Sequence, residues 1–389
     1  MTVPDIALMC FFLLLIGWGS RRLPFIPLLC LLFGIGWGFI GPRHSITVLE
    51  TVAKVALTFF LFIDGARLHI PKILHFQSKR LPSIGLVVTL ILGILLIRHF
   101  FQLTLEESFL TILPLLIIDG KTTPSAFSCV LPSRIQQMVN VEGSFTGIFA
   151  FFLLSLVHLT HPFHFFIGIF FPILAGVGLG YICGLVAKAA LDTGWGDHHL
   201  LRGGLFLIPY AIFAFCDLFD SNGFIGVIAA GLTFGHFARP LCNTLFDLAR
   251  RQGAYLYYLL LIFFGIFSLH VLSQTLTLPL ILFALIFLFG VRFIAVLASF
   301  IKTPYRWKTI GYFTFMSPTG LIPIATTMLF TEYYTFPAQN LMLQIVVTTL
   351  FFSLLIHPLF ARPIVHAFGS SLNRRTDSAE YLPTVSLPL

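Results

Sequence analysis

The residues from Gly143 to Ala187 include no Asp, Glu, Lys or Arg. A helix that crosses a bilayer needs about 20 mostly apolar residues, so this run is too long for one such helix. The segment 158–164, with three histidines and a proline, supplies a turn between two helices. Similar apolar runs recur along the chain, which is 58% hydrophobic and 10% charged, with a mean hydropathy of +0.97. Soluble domains are about 25% charged. The composition therefore excludes a cytosolic enzyme, a nucleic-acid binder, a secreted disulfide module and a disordered chain, and it predicts a multi-pass membrane protein.

Charges, Pro/Gly turns and polar clusters divide the chain into thirteen predicted membrane-spanning helices, which makes the fold all-α. The predicted spans are residues 4–20, 23–41, 48–65, 82–99, 108–131, 143–160, 165–187, 200–217, 221–237, 253–272, 277–300, 309–330 and 340–361. We expect one transmembrane domain, residues 1–366. In it, helices 1–6 (about 4–160) and helices 8–13 (about 200–361) are joined by a linking helix 7 (about 165–187). Residues 367–389 are expected to form a short polar cytoplasmic tail.

The distribution of basic residues predicts how the chain is oriented in the membrane. Eighteen of the 23 Lys and Arg residues fall after odd-numbered spans or in the C-terminal tail, whereas the other side holds only Arg43, Lys54 and Arg98. Because basic loops stay in the cytoplasm, we expect the N-terminus outside and the C-terminus inside, in a bacterial inner membrane. The net charge of +8 is thus explained by topology, and we expect no nucleic-acid partner.

The six cysteines lie far apart and show no CxxC or Cys/His metal spacing. The chain also has no cofactor fingerprint and no set of nucleophile and base. We therefore expect buried, inert thiols, no metal site, no cofactor and no enzymatic activity.

Spans 5 and 12 are each interrupted near mid-membrane by Gly, Pro and hydroxyl residues. The predicted helix-breaking residues are Gly120, Pro124, Pro318, Gly320 and Pro323. Freed carbonyls and half-helix ends at such breaks can bind an ion. Because the two breaks lie seven spans apart, around a linking helix 7, they predict inverted six-helix repeats of a secondary transporter. The alternative is two kinked helices in an ordinary bundle.

Several segments carry a resemblance to a known family. Residues 61–68 (LFIDGARL), residues 221–232 (SNGFIGVIAAGL) and the segment around Arg292 resemble the third helix, a later glycine-rich helix and the arginine segment of the monovalent cation:proton antiporters, the sodium/proton exchangers. The resemblance extends over nearly the whole chain. It implies a sodium/proton antiporter-like fold, a homodimer in the lipid bilayer, and crossed broken helices 5 and 12 in a domain that moves for alternating access.

The chain departs from this family at its charged motifs. The family's Thr-Asp-Pro of helix 5 aligns with residues 122–124, where Thr123 replaces the aspartate. Its Glu-Ser-x-x-Asn-Asp motif aligns with residues 142–147, where Thr146 and Gly147 replace Asn-Asp, the expected carrier. Its helix-12 arginine aligns with Thr319. The partners of one charge pair have therefore both become threonine, and no single charge is stranded in the lipid.

The remaining polar residues of these segments define a predicted ion- and proton-binding set: Asp119, Thr122, Thr123, Glu142, Thr146, Ser317 and Thr319. Glu142 has two interpretations, a buried bridge to Arg292 or a residual ion site. Asp119 lies one turn before Thr123 and could replace the lost carboxylate, with Lys121 as a tethered, modulating cation. Alternatively, Asp119 and Lys121 form a local ion pair. We expect Asp64, at the end of span 3, to pair with Arg67 at the membrane interface.

Three functions are consistent with the sequence. The first is exchange of a monovalent cation, Na⁺ or K⁺, for protons at the crossing of spans 5 and 12. The second is an uncoupled or altered-substrate transporter of the same fold. The third is a membrane scaffold or sensor without transport.

Overall fold

A computed structural model of the protein describes residues 9, 11–17, 26–40, 46–68, 80–118, 132–157, 166–194, 198–303, 305–316, 320, 322–327 and 338–372. Within these ranges the regular structure is helical, and no strand occurs in them. In chain order the α-helices are α1 (11–17), α2 (Ile26–Ile40), α3 (Ile46–Arg67), α4 (Leu86–Phe101), α5 (Leu105–Leu116), α6 (Ser133–Val157), α7 (Phe171–Asp192), α8 (His198–Asp217), α9 (Gly223–Phe237), α10 (Arg239–Thr275), α11 (Leu278–Leu285), α12 (Arg292–Phe300), α13 (Trp307–Phe315), α14 (322–327) and α15 (Gln339–Leu372).

Three π-helical stretches run directly into α-helices. Leu81–Gly85 precedes α4, Phe166–Phe170 precedes α7, and Ile286–Val291 joins α11 to α12. The last stretch makes residues 278–300 one continuous helix with a local change of winding.

The predicted all-α class is confirmed. Every predicted span contains at least one helix in the described part of the chain. Within that part, five helices are long and apolar enough to cross a bilayer: Leu81–Phe101, Gly168–Ala190, Gly253–Ser273, Leu278–Phe300 and Gln339–Ala361. The protein is therefore a multi-pass membrane protein, while the count of thirteen spans stays a prediction.

Helix α6 begins earlier than predicted. The expected span starts at Gly143, whereas the helix starts at Ser133, directly after Pro132. The residues before Gly143 are polar but form helix well, so a boundary drawn by hydropathy falls too late. As a result Glu142 lies within the helix rather than at its start.

Two other helices also extend beyond the predicted spans. Helix α10 covers 37 residues, against twenty expected, and α15 continues through Pro358 and Pro363 to Leu372. The first residues of the predicted cytoplasmic tail are therefore helical. Residues 373–389 lie outside the described residues.

The chain divides into two compact units. Unit 1 comprises Met1–Ala53, Arg80–Gly143 and Tyr255–Val385, and unit 2 comprises Lys54–Lys79, Ser144–Ala254 and Ser386–Leu389. In unit 1, α15 packs against α2, α5, α11 and α13, and α12 packs against α4 and α13. Helices α2 and α10 approach so closely that a Cβ added at Gly265 would lie 2.5 Å from the carbonyl oxygen of Leu31.

Helix α9 is the buried centre of unit 2. Its N-terminus is capped by Asn222, whose Oδ1 accepts from the backbone N–H groups of Phe224 and Ile225. Eleven of its fifteen residues are buried. Helix α7 packs on one side of α9, where a Cβ added at Gly180 would lie 2.5 Å from the carbonyl oxygen of Ala230. The backbone of α3 packs closely on Gly231 and Gly235 of α9.

Candidate functional site

A buried ion pair lies at the centre of the candidate site in unit 1. Nη2 of Arg292 is 2.6 Å from Oε1 of Glu142. The two residues are 6% and 2% exposed. Nη2 also donates a long hydrogen bond of 3.5 Å to the carbonyl oxygen of Phe313. The structure therefore brings together the two charges that the sequence pairs, and each neutralises the other away from water.

Helices α6, α12 and α13 supply these groups. Glu142 is the tenth residue of α6, at the end of the polar segment with which this helix begins. Arg292 is the first residue of α12, directly after the π-helical stretch. A bidentate guanidinium can bind a carboxylate and still donate to a carbonyl. The pair is suited to hold α6 and α12 in one arrangement.

A second buried carboxylate lies in unit 2. Asp64 on α3 is 1% exposed, and its Oδ1 accepts a hydrogen bond of 3.2 Å from the hydroxyl of Ser144 on α6, which is 3% exposed. The expected pairing of Asp64 with Arg67 at the membrane interface stays a prediction, whereas the burial of Asp64 within the protein is a finding of the structure. Asp64 is buried because α3 packs tightly on α9, so the end of span 3 is covered by protein. Thr146 of the predicted set is also buried, two residues further along α6.

The polar part of predicted span 5 falls outside the described residues. Helix α5 begins with a capping box between Thr104 and Glu107 and ends at Leu116. Ile117 has extended backbone angles, so the helix ends three residues before Asp119 in the sequence. The predicted residues that follow are not described: Asp119, Gly120, Lys121, Thr122, Thr123 and Pro124.

Predicted span 12 is described in part. Helix α13 ends at Phe315, Gly320 is buried and outside any helix, and α14 covers residues 322–327. Ser317, Pro318 and Thr319 lie outside the described residues, so the predicted break of span 12 stays a prediction. Pro323 lies in α14, where its carbonyl accepts a 2.7 Å hydrogen bond from the hydroxyl of Thr327.

The sequence analysis did not identify three buried polar residues in α14 and α15. Thr326 and Thr327 on α14 are 1% and 2% exposed, and both hydroxyls donate to carbonyls one turn earlier. His357 on α15 is 4% exposed. The available signal was a histidine inside the apolar run of span 13, a costly residue in hydrocarbon.

The described ranges contain no group of three or more His, Cys, Asp or Glu side chains that could hold a metal ion. In each unit, the buried polar groups described above are mainly carboxylates, hydroxyls and backbone carbonyls. Such oxygen groups suit a hard cation or a proton.

Comparison with known proteins adds two findings. The family model "Sodium/hydrogen exchanger, transmembrane" matches residues 8–367. Among solved structures, the fold is similar to that of the sodium proton antiporter MjNhaP1 from Methanocaldococcus jannaschii. The structure at pH 8 has a TM-score of 0.71 at 18% identity, covering 92% of this chain and 98% of that chain. An electron-microscopy structure of the same antiporter has a TM-score of 0.66 at 18% identity, covering 94% and 98%. A comparison with curated protein sequences finds no match.

Proposed function

Because the chain belongs to the sodium/hydrogen exchanger family, we propose that it is a secondary active transporter that exchanges a monovalent cation, Na⁺ or K⁺, for protons. This is a transporter family rather than an enzyme family. The observation that carries the proposal is the burial of Asp64, Glu142 and Arg292 within membrane helices. Ionisable residues at such positions are costly, and in transporters they mark ion and proton pathways.

In this proposal the Glu142–Arg292 pair is structural. A carboxylate already bound at 2.6 Å by a guanidinium attracts a second cation weakly, because its charge is neutralised. The exchanging carboxylate is therefore a different one. The candidates are Asp119 in span 5, with Lys121 as its modulating cation, and Asp64, a buried carboxylate that accepts a hydrogen bond from Ser144.

The cation site lies at the crossing of predicted broken spans 5 and 12. Hydroxyls of Thr122, Thr123, Ser317 and Thr319, together with freed carbonyls, replace the hydration shell of the ion. A carboxylate that binds either a proton or a cation keeps the same net charge in both states, which couples the two ions.

Alternating access moves the domain with the crossed helices and exposes this site first to one side and then to the other. The transporter works as a homodimer in a bacterial inner membrane, with the N-terminus outside and the C-terminus in the cytoplasm. Eighteen of the 23 basic residues on one side of the topology map support this orientation.

The proposal is tested by proton and cation flux in proteoliposomes with Na⁺, K⁺ and Li⁺. We expect cation-dependent proton movement that Asp119→Asn reduces at least tenfold, because an amide cannot alternate between proton and cation. An unchanged flux would remove Asp119 from the mechanism. Asp217→Asn, at an exposed position at the end of α8, is the control.

One observation favours the uncoupled transporter as a second candidate. In our alignment of residues 142–147 with the family's motif, Thr146 and Gly147 stand at the positions of the Asn-Asp carrier, so a titratable group is missing there. Cation movement that ignores an imposed pH gradient would support this candidate over exchange.

A further inference from the structure

Three helix ends of unit 1 meet at one end of its bundle. Arg80 directly precedes the π-helical stretch before α4, and its Nη1 donates a 2.9 Å hydrogen bond to the carbonyl oxygen of Ile301, the residue after α12. At the other end of α12, Arg292 donates to the carbonyl oxygen of Phe313, near the end of α13. Because α12 and α13 also pack on each other, they are antiparallel, and α13 begins beside the end of α12.

The side chains at these helix ends are basic. Arg80, Lys302 and Lys308 are exposed, and the half-buried Arg306 directly precedes α13. We call these four residues the basic cluster. Residues 80–105 and 248–331 contain no Asp or Glu, so α4, α12, α13 and their connections supply no carboxylate to the cluster. Four positive charges are therefore brought to one end of unit 1.

Hydrogen bonds hold part of the basic cluster in place. Lys302 has a φ of 57°, the left-handed conformation common just after a helix end. The backbone N–H and the hydroxyl of Thr303 both donate to the carbonyl oxygen of Phe300, at 3.1 and 2.7 Å. The guanidinium of Arg80 has five N–H donors, and its bond to Ile301 uses one of them. The backbone of Lys302 and the guanidinium of Arg80 are thus positioned before any ligand binds.

An exposed apolar face leads along the first helix to this cluster. Ile84, Val87, Ile91 and Leu95 are between 39% and 57% exposed. They recur at intervals of three or four residues, which places them on one face of α4 and the stretch before it. In a membrane protein, a face of this kind contacts the acyl chains of lipids. Arg80 lies four residues before Ile84, at the end of that face.

Trp307 indicates the depth of the basic cluster in the membrane. Its side chain is 71% exposed, and it lies between Arg306 and Lys308 in the sequence. Exposed tryptophans of membrane proteins concentrate at the level of the lipid headgroups, where the ring is half in hydrocarbon and half in water. The neighbouring Ile301 is exposed as well. The four cations are therefore expected at the height of the lipid phosphates.

We propose that the basic cluster binds the phosphate headgroup of an anionic phospholipid whose acyl chains lie along the exposed face of α4. Basic residues grouped at the end of a membrane helix attract anionic lipids, and a guanidinium donates to phosphate oxygens with matching geometry. The predicted orientation places the cluster in the cytoplasmic leaflet. The bound lipid joins the ends of α4, α12 and α13, and so braces the helices that hold Arg292. Lipid binding here needs no assumption about the exchanged ion.

The test measures lipid binding to the purified protein in a non-ionic detergent by native mass spectrometry. The probes are phosphatidylglycerol, which is anionic, and phosphatidylcholine, which has no net charge. We expect phosphatidylglycerol to bind at least about fivefold more tightly. Lys302→Gln/Lys308→Gln should weaken its binding at least about tenfold, because each basic residue near an anionic lipid contributes roughly fivefold. Binding of phosphatidylcholine should change less than about twofold.

The matched control is Lys188→Gln/Arg98→Gln, which also removes two exposed charges, one on α7 and one at the other end of α4. We expect it to bind phosphatidylglycerol within about twofold of wild type. Equal weakening in the control and the cluster variant would overturn the proposal, because it would show a general attraction to a cationic protein. Equal binding of the two lipids to wild type would overturn it too. Displacement of phosphatidylglycerol by millimolar inorganic phosphate would assign the cluster to a free anion instead.

Trp307 provides a second measurement that keeps the four basic residues, should the double variant not be recovered folded. Phosphatidylglycerol with acyl chains brominated near the headgroup should quench the fluorescence of wild type more strongly than brominated phosphatidylcholine. The difference should disappear in Trp307→Phe, because the quenched ring is then absent. Identical quenching of wild type by the two lipids would contradict lipid binding at the basic cluster.

Discussion

Glu142 and Arg292 form an ion pair of 2.6 Å in which both side chains are buried, and Arg292 also reaches the backbone of Phe313. Removing one partner of such a pair leaves the other charge without compensation in a medium of low dielectric constant. The pair therefore gives a direct test of the distinction between a structural bridge and an ion site.

We expect Glu142→Gln to lower stability by about 3–5 kcal/mol, read as a drop in the apparent melting temperature in detergent. The double variant Glu142→Gln/Arg292→Met should recover much of that loss, because it removes the stranded guanidinium. Additive losses in the double variant would show that the two residues are not coupled. A stable Glu142→Gln protein that has lost cation binding would favour the ion-site interpretation.

Helix α7 offers a matched pair of glycines. Gly180 faces Ala230 of α9, and an added Cβ would lie 2.5 Å from a backbone oxygen, whereas an added Cβ at Gly178 meets nothing within 4 Å. We expect Gly180→Ala to cost about 1–3 kcal/mol, since the two helices must separate. Gly178→Ala should be neutral or stabilising by up to about 1 kcal/mol, because alanine favours helix. Thermal unfolding of both variants in the same detergent measures the difference. Equal effects would show that α7 and α9 are not in close backbone contact.

Asp64 and Ser144 define a second test, in unit 2. Asp64→Asn should reduce cation-dependent proton flux at least tenfold if this buried carboxylate takes part in exchange, because the amide is neither titratable nor anionic. Ser144→Ala should have a smaller effect, about twofold to tenfold, equivalent to one hydrogen bond. The exposed Asp192 at the end of α7 provides the control, Asp192→Asn. Normal flux in Asp64→Asn protein of normal stability would limit Asp64 to a structural role.

The cap of α9 gives a prediction that concerns stability alone. Oδ1 of Asn222 accepts from two backbone N–H groups of the first turn. Asn222→Ala should cost about 1 kcal/mol, and Asn222→Ser, which keeps a capping oxygen, should cost much less. The two losses are measured by comparing the apparent melting temperature of each variant with that of wild type. If both substitutions lower it equally, the loss does not come from the cap.

The helical class could be predicted because the length and polarity of an apolar run are local properties of the sequence. The ends of helices depend on more than hydropathy. Glu142 lies well inside α6 because the polar residues before it form helix as readily as apolar ones. The apposition of Glu142 and Arg292 could be predicted from the need to neutralise buried charge and from the family resemblance.

The environments of Asp64 and His357 could not be predicted in this way. Asp64 falls at the end of an apolar run beside Arg67, a pattern typical of a membrane interface, yet the packing of α3 on α9 buries it. The burial of His357 could not be predicted because two aromatic rings that pack on it, those of Phe289 and Phe315, are distant along the chain. Tertiary packing determines both environments.

The π-helical stretch Ile286–Val291 has a consequence for the direction in which Arg292 points. A wide turn accommodates about one residue more than an α-turn, and one residue corresponds to about 100° of rotation around the axis of an α-helix. The stretch immediately precedes Arg292, so it sets the angular register of every side chain in α12. In an uninterrupted α-helix of the same length, the guanidinium would leave the face that meets Glu142. A single-residue change in chain length before Arg292 would therefore redirect its charge, although the arginine itself stayed unchanged.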